Sequence, residues 1–315
     1  MKVSIVIPSL NSTTLAGTLE AISRQTRRPH EVIVVGKDVS GSASRFARID
    51  FVDTGAPVCA AAARNRGMKR ATGEVILFTD ADCLPAPDWL EAHARQQRRG
   101  NRVVGGSVKL AGSNYWAQSD NFSMFQGFLP HLEASSRRFL PSLNLSVHRS
   151  VIESVGGLDE SFPGAAAEDA DWTLRMHRAG HELHFEPAAI VSHRPSRTTW
   201  RSVARHWTSL GYSSIRVRLR YAAELGTPGS ASHAGWIRLS SPLVALWVTA
   251  SIYAKRDAWK YLSHLPVVYL TKILYCFGAA RSIDEGFALD RREAAFGSGP
   301  SASIPALAES DALQP

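Results

Sequence analysis

The chain has 315 residues, 44% of them hydrophobic and 20% charged, which suits a globular protein with a full core and excludes a mainly disordered one. Its formal net charge of +8 favours anionic partners: phosphates, acidic lipid or nucleic acid. Three distant cysteines, Cys59, Cys83 and Cys276, with no CxxC pair, exclude a disulfide framework or cysteine zinc site and suit reduced thiols in the cytosol.

Val3-Ser4-Ile5-Val6-Ile7, ending at Pro8, is too short for a signal-peptide core and predicts a strand buried on both faces. The active part is therefore expected in the cytoplasm. Leu15, Leu19 and Ile22 predict a helix over 13–25, with Ser12 or Thr13 as its cap. Glu31 to Val35, stopped by Gly36, is a second strand, and Phe51-Val52 a short third. Ala60 to Arg70 suits a helix, and Val75 to Phe78 a buried strand running into Asp80. This order predicts right-handed crossovers and a mostly parallel sheet in three layers. Ligands bind such sheets at the carboxyl ends of the strands, where Pro8-Ser9, Gly36-Lys37-Asp38 and Asp80-Ala81-Asp82 fall.

Beyond residue 100 the pattern loosens, with Val103-Val104 and Val108 to Leu110 as candidate strands. Asp169 to Gly180 reads as a helix and Leu183 to Phe185 as a strand; Ala189-Ile190-Val191 is another, leading into His193. After residue 200 the composition changes. Trp200, Val203, Trp207 and Leu210 form a helical stripe, followed by Arg216, Arg218 and Arg220; residues 226–235 resemble a linker. The apolar stretches Leu243 to Tyr253 and Leu262 to Ala280 fall short of an uninterrupted membrane span and fit interfacial helices better. The expected division is a catalytic domain over 1–200, a basic and apolar helical extension over 201–295, and a small, polar, disordered tail over 296–315.

Four groups of residues bear on chemistry. Asp80 and Asp82 share one turn and could hold a hard cation such as Mg²⁺ or Mn²⁺ with a diphosphate, or could simply cap the turn. Arg64 suits phosphate or the turn carboxylates, with a surface ion pair as the alternative. Glu168-Asp169-Ala170-Asp171-Trp172 opens a helix, so its acids serve as caps or as a general base. His193 is either structural or a third metal ligand.

These residues, in register over about 1–195, resemble the family 2 glycosyltransferases, inverting enzymes of the GT-A fold. The matching stretches are Val3 to Ser9, Ala63 to Met68, Gly73 to Asp82, Asn144 to Arg149 with Gly156 to Glu160, and Glu168 to Arg175. The resemblance implies a GT-A-like α/β/α domain with a C-terminal helical extension. Pro8, Ser9 and Asp38 would line the nucleoside pocket, Arg64 and Ala81 would support the donor, and Asp80, Asp82 and His193 would hold the metal. Asp169 would be the general base, with Glu168 and Trp172 positioning the acceptor. The implied reaction moves one sugar from a nucleotide-sugar, a UDP-sugar being the leading choice, to a glycan or polyprenyl-linked hydroxyl. Gly36-Lys37-Asp38 replaces the acidic pair of many relatives, which leaves the nucleotide open. The lack of Gln-x-x-Arg-Trp after the Glu-Asp pair argues against a processive synthase. The alternatives are an inactive GT-A-like binding protein and a phosphatase of the haloacid dehalogenase type. No nucleic-acid motif occurs, and peripheral association with the inner membrane face is expected.

Overall fold

In a computed structural model the described residues are 1–289, so the expected tail over 296–315 lies outside them. They form two compact units: residues 1–109 with 128–193, and 110–127 with 194–289.

The first unit has the expected α/β fold, built on a nine-stranded sheet. Its elements are β1 (Val3–Leu10), α1 (Leu15–Ser23), β2 (Glu31–Lys37), β3 (Ile49–Asp53), α2 (Ala60–Arg70), β4 (Val75–Thr79), β5 (Cys83–Pro85), α3 (Trp89–Arg98) and β6 (Val103–Leu110). After α4 (Tyr115–Phe125) come β7 (Ser135–Ser136), β8 (Asn144–His148), α5 (Arg149–Val155), α6 (Glu168–Arg178) and β9 (Leu183–His193). The strand order is β3-β2-β1-β4-β8-β6-β9-β5, with β7 beside β9. The pairs β1–β2, β1–β4 and β2–β3 are parallel, and β8 joins β4 and β6 antiparallel. Ile5, Val6, Ile7, Ile33, Val34, Ile76, Leu77 and Phe78 are fully buried, as a sheet covered on both faces requires.

Sequence and structure differ at the element ends. Each pair of short apolar runs, 103–104 with 108–110 and 183–185 with 189–191, belongs to one strand. β1 runs through Pro8, whose missing N–H does not interrupt the pairing register with Val35. Gly36 is at φ +138°, and a Cβ there would lie 1.9 Å from the Ser9 carbonyl oxygen; only glycine lets β2 close on the end of β1. The polar centre of the antiparallel half is Asn144. Its amide nitrogen donates to the Ser107 and Ala189 carbonyls, and its oxygen sits 2.7 Å from Trp89 Nε1 and 2.9 Å from His93 Nε2. Burial pushes His93 down to about 4, so it is a neutral structural group.

The second unit is helical and includes α4 with α7 (Trp200–Arg220), short α8 (Ala222–Leu225), α9 (Ala234–Tyr253), a 3₁₀ segment Arg256–His264, and α10 (Leu265–Asp284). Helices α7 and α10 meet through glycine: a Cβ on Gly211 would lie 2.0 Å from the Tyr275 carbonyl oxygen, and one on Gly278 1.9 Å from that of Thr208. Around that crossing Trp207 is fully buried, with Lys272 Nζ 4.1 Å from its ring centroid and its indole N–H donated to buried Asp120. Asp120 also accepts from Arg197 at 2.7 Å, and Lys272 donates to the Ser123 carbonyl. Pro242 interrupts the backbone ladder of α9, and the Ser241 hydroxyl donates to the Arg238 carbonyl that proline leaves unpaired. The apolar run from residue 262 is longer in the structure than its composition suggests. Among the described residues, the helical stretch Arg256–Asp284 alone is long and apolar enough to cross a bilayer, with 44% of its apolar window buried.

Replacing Gly278 with alanine puts a methyl group against backbone that cannot retreat. The substitution should destabilise the protein by about 1–3 kcal/mol, read as a lower midpoint in thermal or urea unfolding.

Candidate active site

The turn Asp80-Ala81-Asp82 leaves the carboxyl end of β4, on the edge where β1 and β2 also end. Three hydroxyls near the start of α1 hold it by one atom. The Ala81 carbonyl accepts from Thr14 Oγ1 at 2.7 Å, Thr18 Oγ1 at 3.0 Å and Ser12 Oγ at 3.5 Å. The expected cap of α1 therefore differs in the structure. The N-cap is Thr14, which makes no side-chain cap; Ser12 Oγ accepts the Thr14 N–H, at 3.3 Å. These hydroxyls find a stronger use in the acidic turn.

Strand β5 follows the turn and pairs antiparallel with the end of β9, Cys83 opposite His193. This register brings His193 to the acids: its Nε2 lies 3.5 Å from Asp82 Oδ2. The thiol of buried Cys83 is pushed well up by burial and by Asp82 and Asp80, so it is neutral and no nucleophile.

Arg64, in the middle of α2, is almost fully buried and bridges two segments. Its Nη2 donates to Asp80 Oδ1 and its Nη1 to Glu168 Oε1, each at 2.8 Å. Burial opposes its charge, but Asp80, Glu168 and Asp169 outweigh burial and raise its pKa. Burial raises Asp80 too, helped by the like charge of Asp82 and resisted by Arg64. Glu168 is pushed up to about 7 by burial and by neighbouring Asp169, against the pull of Arg64. Glu168 Oε2 and Arg64 Nε are buried with no hydrogen-bond partner among the described residues.

The next residue of α2 serves the same assembly. Asn65 exchanges hydrogen bonds with the backbone of Leu158 and donates to Glu160, pinning the 157–160 segment. At the start of α6, Ala167 adopts a left-handed conformation (φ +69°), a strained state for alanine that turns the chain into Glu168. The half-buried Asp169 follows. Its Oδ2 accepts from the Ser142 N–H at 2.9 Å and the Ser142 hydroxyl at 3.2 Å, and its Oδ1 accepts from the Ala170 N–H.

Direct contacts thus join Arg64 to Asp80 and Glu168, and His193 to Asp82, the two sets meeting on the Asp80-Ala81-Asp82 turn. Asp169, on the first turn of α6, is covalently next to Glu168. Pro8 and Ser9 lie at the end of β1, and Ser9 Oγ is buried without a hydrogen-bond partner among the described residues. Asp38 closes its own loop: Oδ1 accepts from Ser40 Oγ and Oδ2 from the Ala43 N–H, each at 2.7 Å. Those bonds hold it low against the effect of burial. Trp172 offers an acceptor no exposed surface. It is fully buried, donates its indole N–H to the Gly156 carbonyl, and packs edge-on against Phe78. Glu168 is likewise buried, held on Arg64. Thr14, Thr18, Asn65 and Ser142 escaped sequence reading. Thr14 and Thr18 alone carry a signal, two hydroxyls one helical turn apart.

The donor set is chemically suited to a hard divalent cation. Asp82 and the Asp80 oxygen not held by Arg64 would supply carboxylate oxygen, and His193 imidazole nitrogen. Side chains of Asp80 and Asp82 are 34% and 29% exposed, which leaves room for phosphate oxygens. Among the described residues no group of three or more His, Cys, Asp or Glu side chains is placed to hold a metal ion by itself. Two carboxylates and an imidazole would leave a divalent ion open to further ligands from its substrate.

The parallel half-sheet thus carries an acidic turn at its carboxyl edge, backed by buried Arg64. Residues 4–155, just under half of the chain, match the model of glycosyl transferase family 2. The chain is 28% identical over 209 residues to glycosyltransferase AglE of Haloferax volcanii, covering 62% of this chain and 67% of that one. It is 32% identical over 192 residues to the pre-mycofactocin glycosyltransferase of Mycobacterium tuberculosis, covering 57% of this chain but only 40% of the relative. Among solved structures, the mannosyltransferase PcManGT of Pyrobaculum calidifontis, in complex with GDP-Man and Mn²⁺, aligns at TM-score 0.58 and 17% identity, covering 90% of this chain and 87% of that one. GalNAc-T7, with UDP, GalNAc and Mn²⁺, aligns at TM-score 0.54 and 14% identity, covering 69% of this chain and 47% of that one.

Two measurements test the electrostatics. Arg64→Met strands buried Glu168 and should cost about 3–5 kcal/mol in unfolding free energy, with part of the loss recovered in Arg64→Met/Glu168→Gln. The raised Glu168 pKa means that the folded chain holds a proton which the unfolded chain releases above the ordinary carboxylate value of 4.5. In EDTA, stability relative to Glu168→Gln should therefore be greatest at low pH, fall as pH rises toward about 7, and level off above it.

Proposed function

We propose that the chain is a metal-dependent inverting glycosyltransferase that moves one sugar from a nucleoside-diphosphate sugar to a hydroxyl of a glycan or polyprenyl-linked acceptor. The observation that carries this reading is the acidic turn itself: two half-exposed carboxylates on one strand end, held through the Ala81 carbonyl, with His193 beside one and Arg64 on the other. In this reading Pro8, Ser9 and Asp38 line the nucleoside pocket, and the unpartnered Ser9 hydroxyl is free to bond the nucleoside. Asp80, Asp82 and His193 hold Mg²⁺ or Mn²⁺, which when bound neutralises charge on the departing diphosphate.

Asp169 acts as the general base. Ser142 and Ala170 fix the orientation of its carboxylate while the side chain keeps access to solvent. It takes the proton of the acceptor hydroxyl as that oxygen attacks the anomeric carbon from the face opposite the diphosphate. The new carbon–oxygen bond forms as the bond to phosphate breaks, and a single displacement inverts the configuration. Arg64 positions Asp80 against the repulsion of Asp82, and Glu168 holds Arg64 while joining it to the helix that carries Asp169. Trp172 acts through packing: it secures the first turns of α6 against β4 through Phe78. A UDP-sugar leads as donor, with GDP-sugars included because Gly36-Lys37-Asp38 lacks the acidic pair of many relatives.

A screen of UDP- and GDP-sugars with Mn²⁺ or Mg²⁺ tests this directly. The wild type should bind one donor only with metal, and Asp82→Asn should lose that metal-dependent binding. Asp169→Asn should keep donor binding and lose about 10²–10⁴-fold in transfer or donor hydrolysis. Full activity in Asp169→Asn would remove the base assignment. Donor binding without turnover in the wild type would favour an inactive binding protein, and phosphomonoester hydrolysis would favour the phosphatase reading.

A further inference from the structure

Helix α9 is built inside out. Over most of its length its inward face carries small residues or hydroxyls: Ala234, Ser241, Ala245, Val248 and Thr249 are buried, with Ile252 and Tyr253 closing its carboxyl end. Most of its large apolar residues face solvent. Trp236, Leu239, Leu243, Leu246 and Trp247 fall at the spacing of one helical stripe, over about 17 Å of helix. Leu239, Leu243 and Trp247 are 74%, 70% and 66% exposed. A single exposed leucine needs no explanation, but a continuous stripe of this size marks a surface that meets something apolar.

The segment after α9 extends this surface and gives it charge. Trp259 Nε1 donates to the Tyr253 carbonyl, and the Tyr253 hydroxyl donates to the Tyr261 carbonyl, each at 2.9 Å. These bonds clamp the Arg256–His264 turn to the carboxyl end of α9. Trp259 and Leu262 there are 62% and 56% exposed, beside exposed Lys255, Arg256 and Lys260. From residue 226 to 264 the chain has four bases, Arg238, Lys255, Arg256 and Lys260, against one acid, Asp257. Arg238 is paired with Asp284, so the basic character lies mainly at the α9 carboxyl end.

We infer that the outward face of α9, with Trp259 and Leu262, is a docking surface for an anionic lipid bilayer: the stripe enters the headgroup–acyl boundary and Lys255, Arg256 and Lys260 meet lipid phosphates. Three features select lipid. The residues that leave the stripe are leucine and tryptophan, and tryptophan stands near both ends of the surface, as in interfacial belts. The basic group adjoins the apolar stripe, so both can act at one surface, each cation contributing near an anionic membrane. A second copy docked through the same face would gather the cations of both chains at one interface, with one acid apiece to offset them. This inference is independent of the transferase reading, because lipid binding is measured without any sugar donor.

The test is co-sedimentation of the full chain with phosphatidylcholine vesicles, with and without 30% phosphatidylglycerol, alongside sedimentation velocity in the absence of lipid. The wild type should pellet with the anionic vesicles, less so in high salt. Leu243→Ser/Trp247→Ser, at exposed positions the core does not use, should weaken binding at least tenfold while leaving the unfolding midpoint unchanged. Lys255→Ala/Arg256→Ala/Lys260→Ala should remove the preference for anionic over neutral vesicles. Failure to pellet with either vesicle, or unchanged binding in Leu243→Ser/Trp247→Ser, would overturn the proposal. So would a stable dimer that Leu243→Ser/Trp247→Ser dissociates and that does not bind vesicles.

Discussion

One buried guanidinium holds the candidate site together. Arg64 is nearly sealed from water and contacts Asp80 and Glu168, residues 88 positions apart in the chain, at 2.8 Å each. Four carboxylates, Asp80, Asp82, Glu168 and Asp169, gather around these segments, and without a fixed cation their repulsion would push the β4 turn and the start of α6 apart. A buried ion pair of this kind is costly to assemble and more costly to break, so its worth lies in geometry. Burial first, and like charge second, raise the pKa values of Asp80 and Glu168, and Glu168 Oε2 has no hydrogen-bond partner among the described residues. A divalent ion on the acidic turn would relieve part of that repulsion.

The neutral parts of the site limit its movement. Thr14 and Thr18 hold the turn by the Ala81 carbonyl and leave both neighbouring carboxylates free of that task. Ser142 fixes one oxygen of Asp169, Asn65 pins the 157–160 loop, and the strain at Ala167 is absorbed where the chain enters α6. Each is a short polar contact between segments distant in sequence.

The helical unit follows a different economy of residues. Its interior is closed by glycines at the α7–α10 crossing and by a polar cluster in which Asp120 receives Arg197 and Trp207. Lys272 lies against the same tryptophan, its pKa well below the usual range because burial disfavours its charge. Small residues allow the helices to approach closely, so the large apolar side chains of α9 are not needed inside and stand outside.

By itself the sequence determined the α/β class and the strand-to-turn placement of Asp80 and Asp82, because a buried parallel strand needs a continuous apolar run and its polar successors must lie at the sheet edge. It also marked Arg64, Glu168, Asp169 and His193, since such residues at element ends or in a mostly apolar setting stand out locally. It could not join the two halves of β6 or β9, because Gly105-Gly106 and Pro187 look like breaks until neighbouring strands supply their hydrogen bonds. Nor could it tell that Trp172 is core, that Asp38 closes its own loop, or that Thr14 and Thr18 serve the acidic turn and not their own helix. Those outcomes depend on which distant groups arrive within 3 Å or so of one another, and tertiary packing alone sets that distance. The same holds for Asp80-Ala81-Asp82: sequence put two acids on one turn, but the β5–β9 register brought His193 to them and α2 brought Arg64.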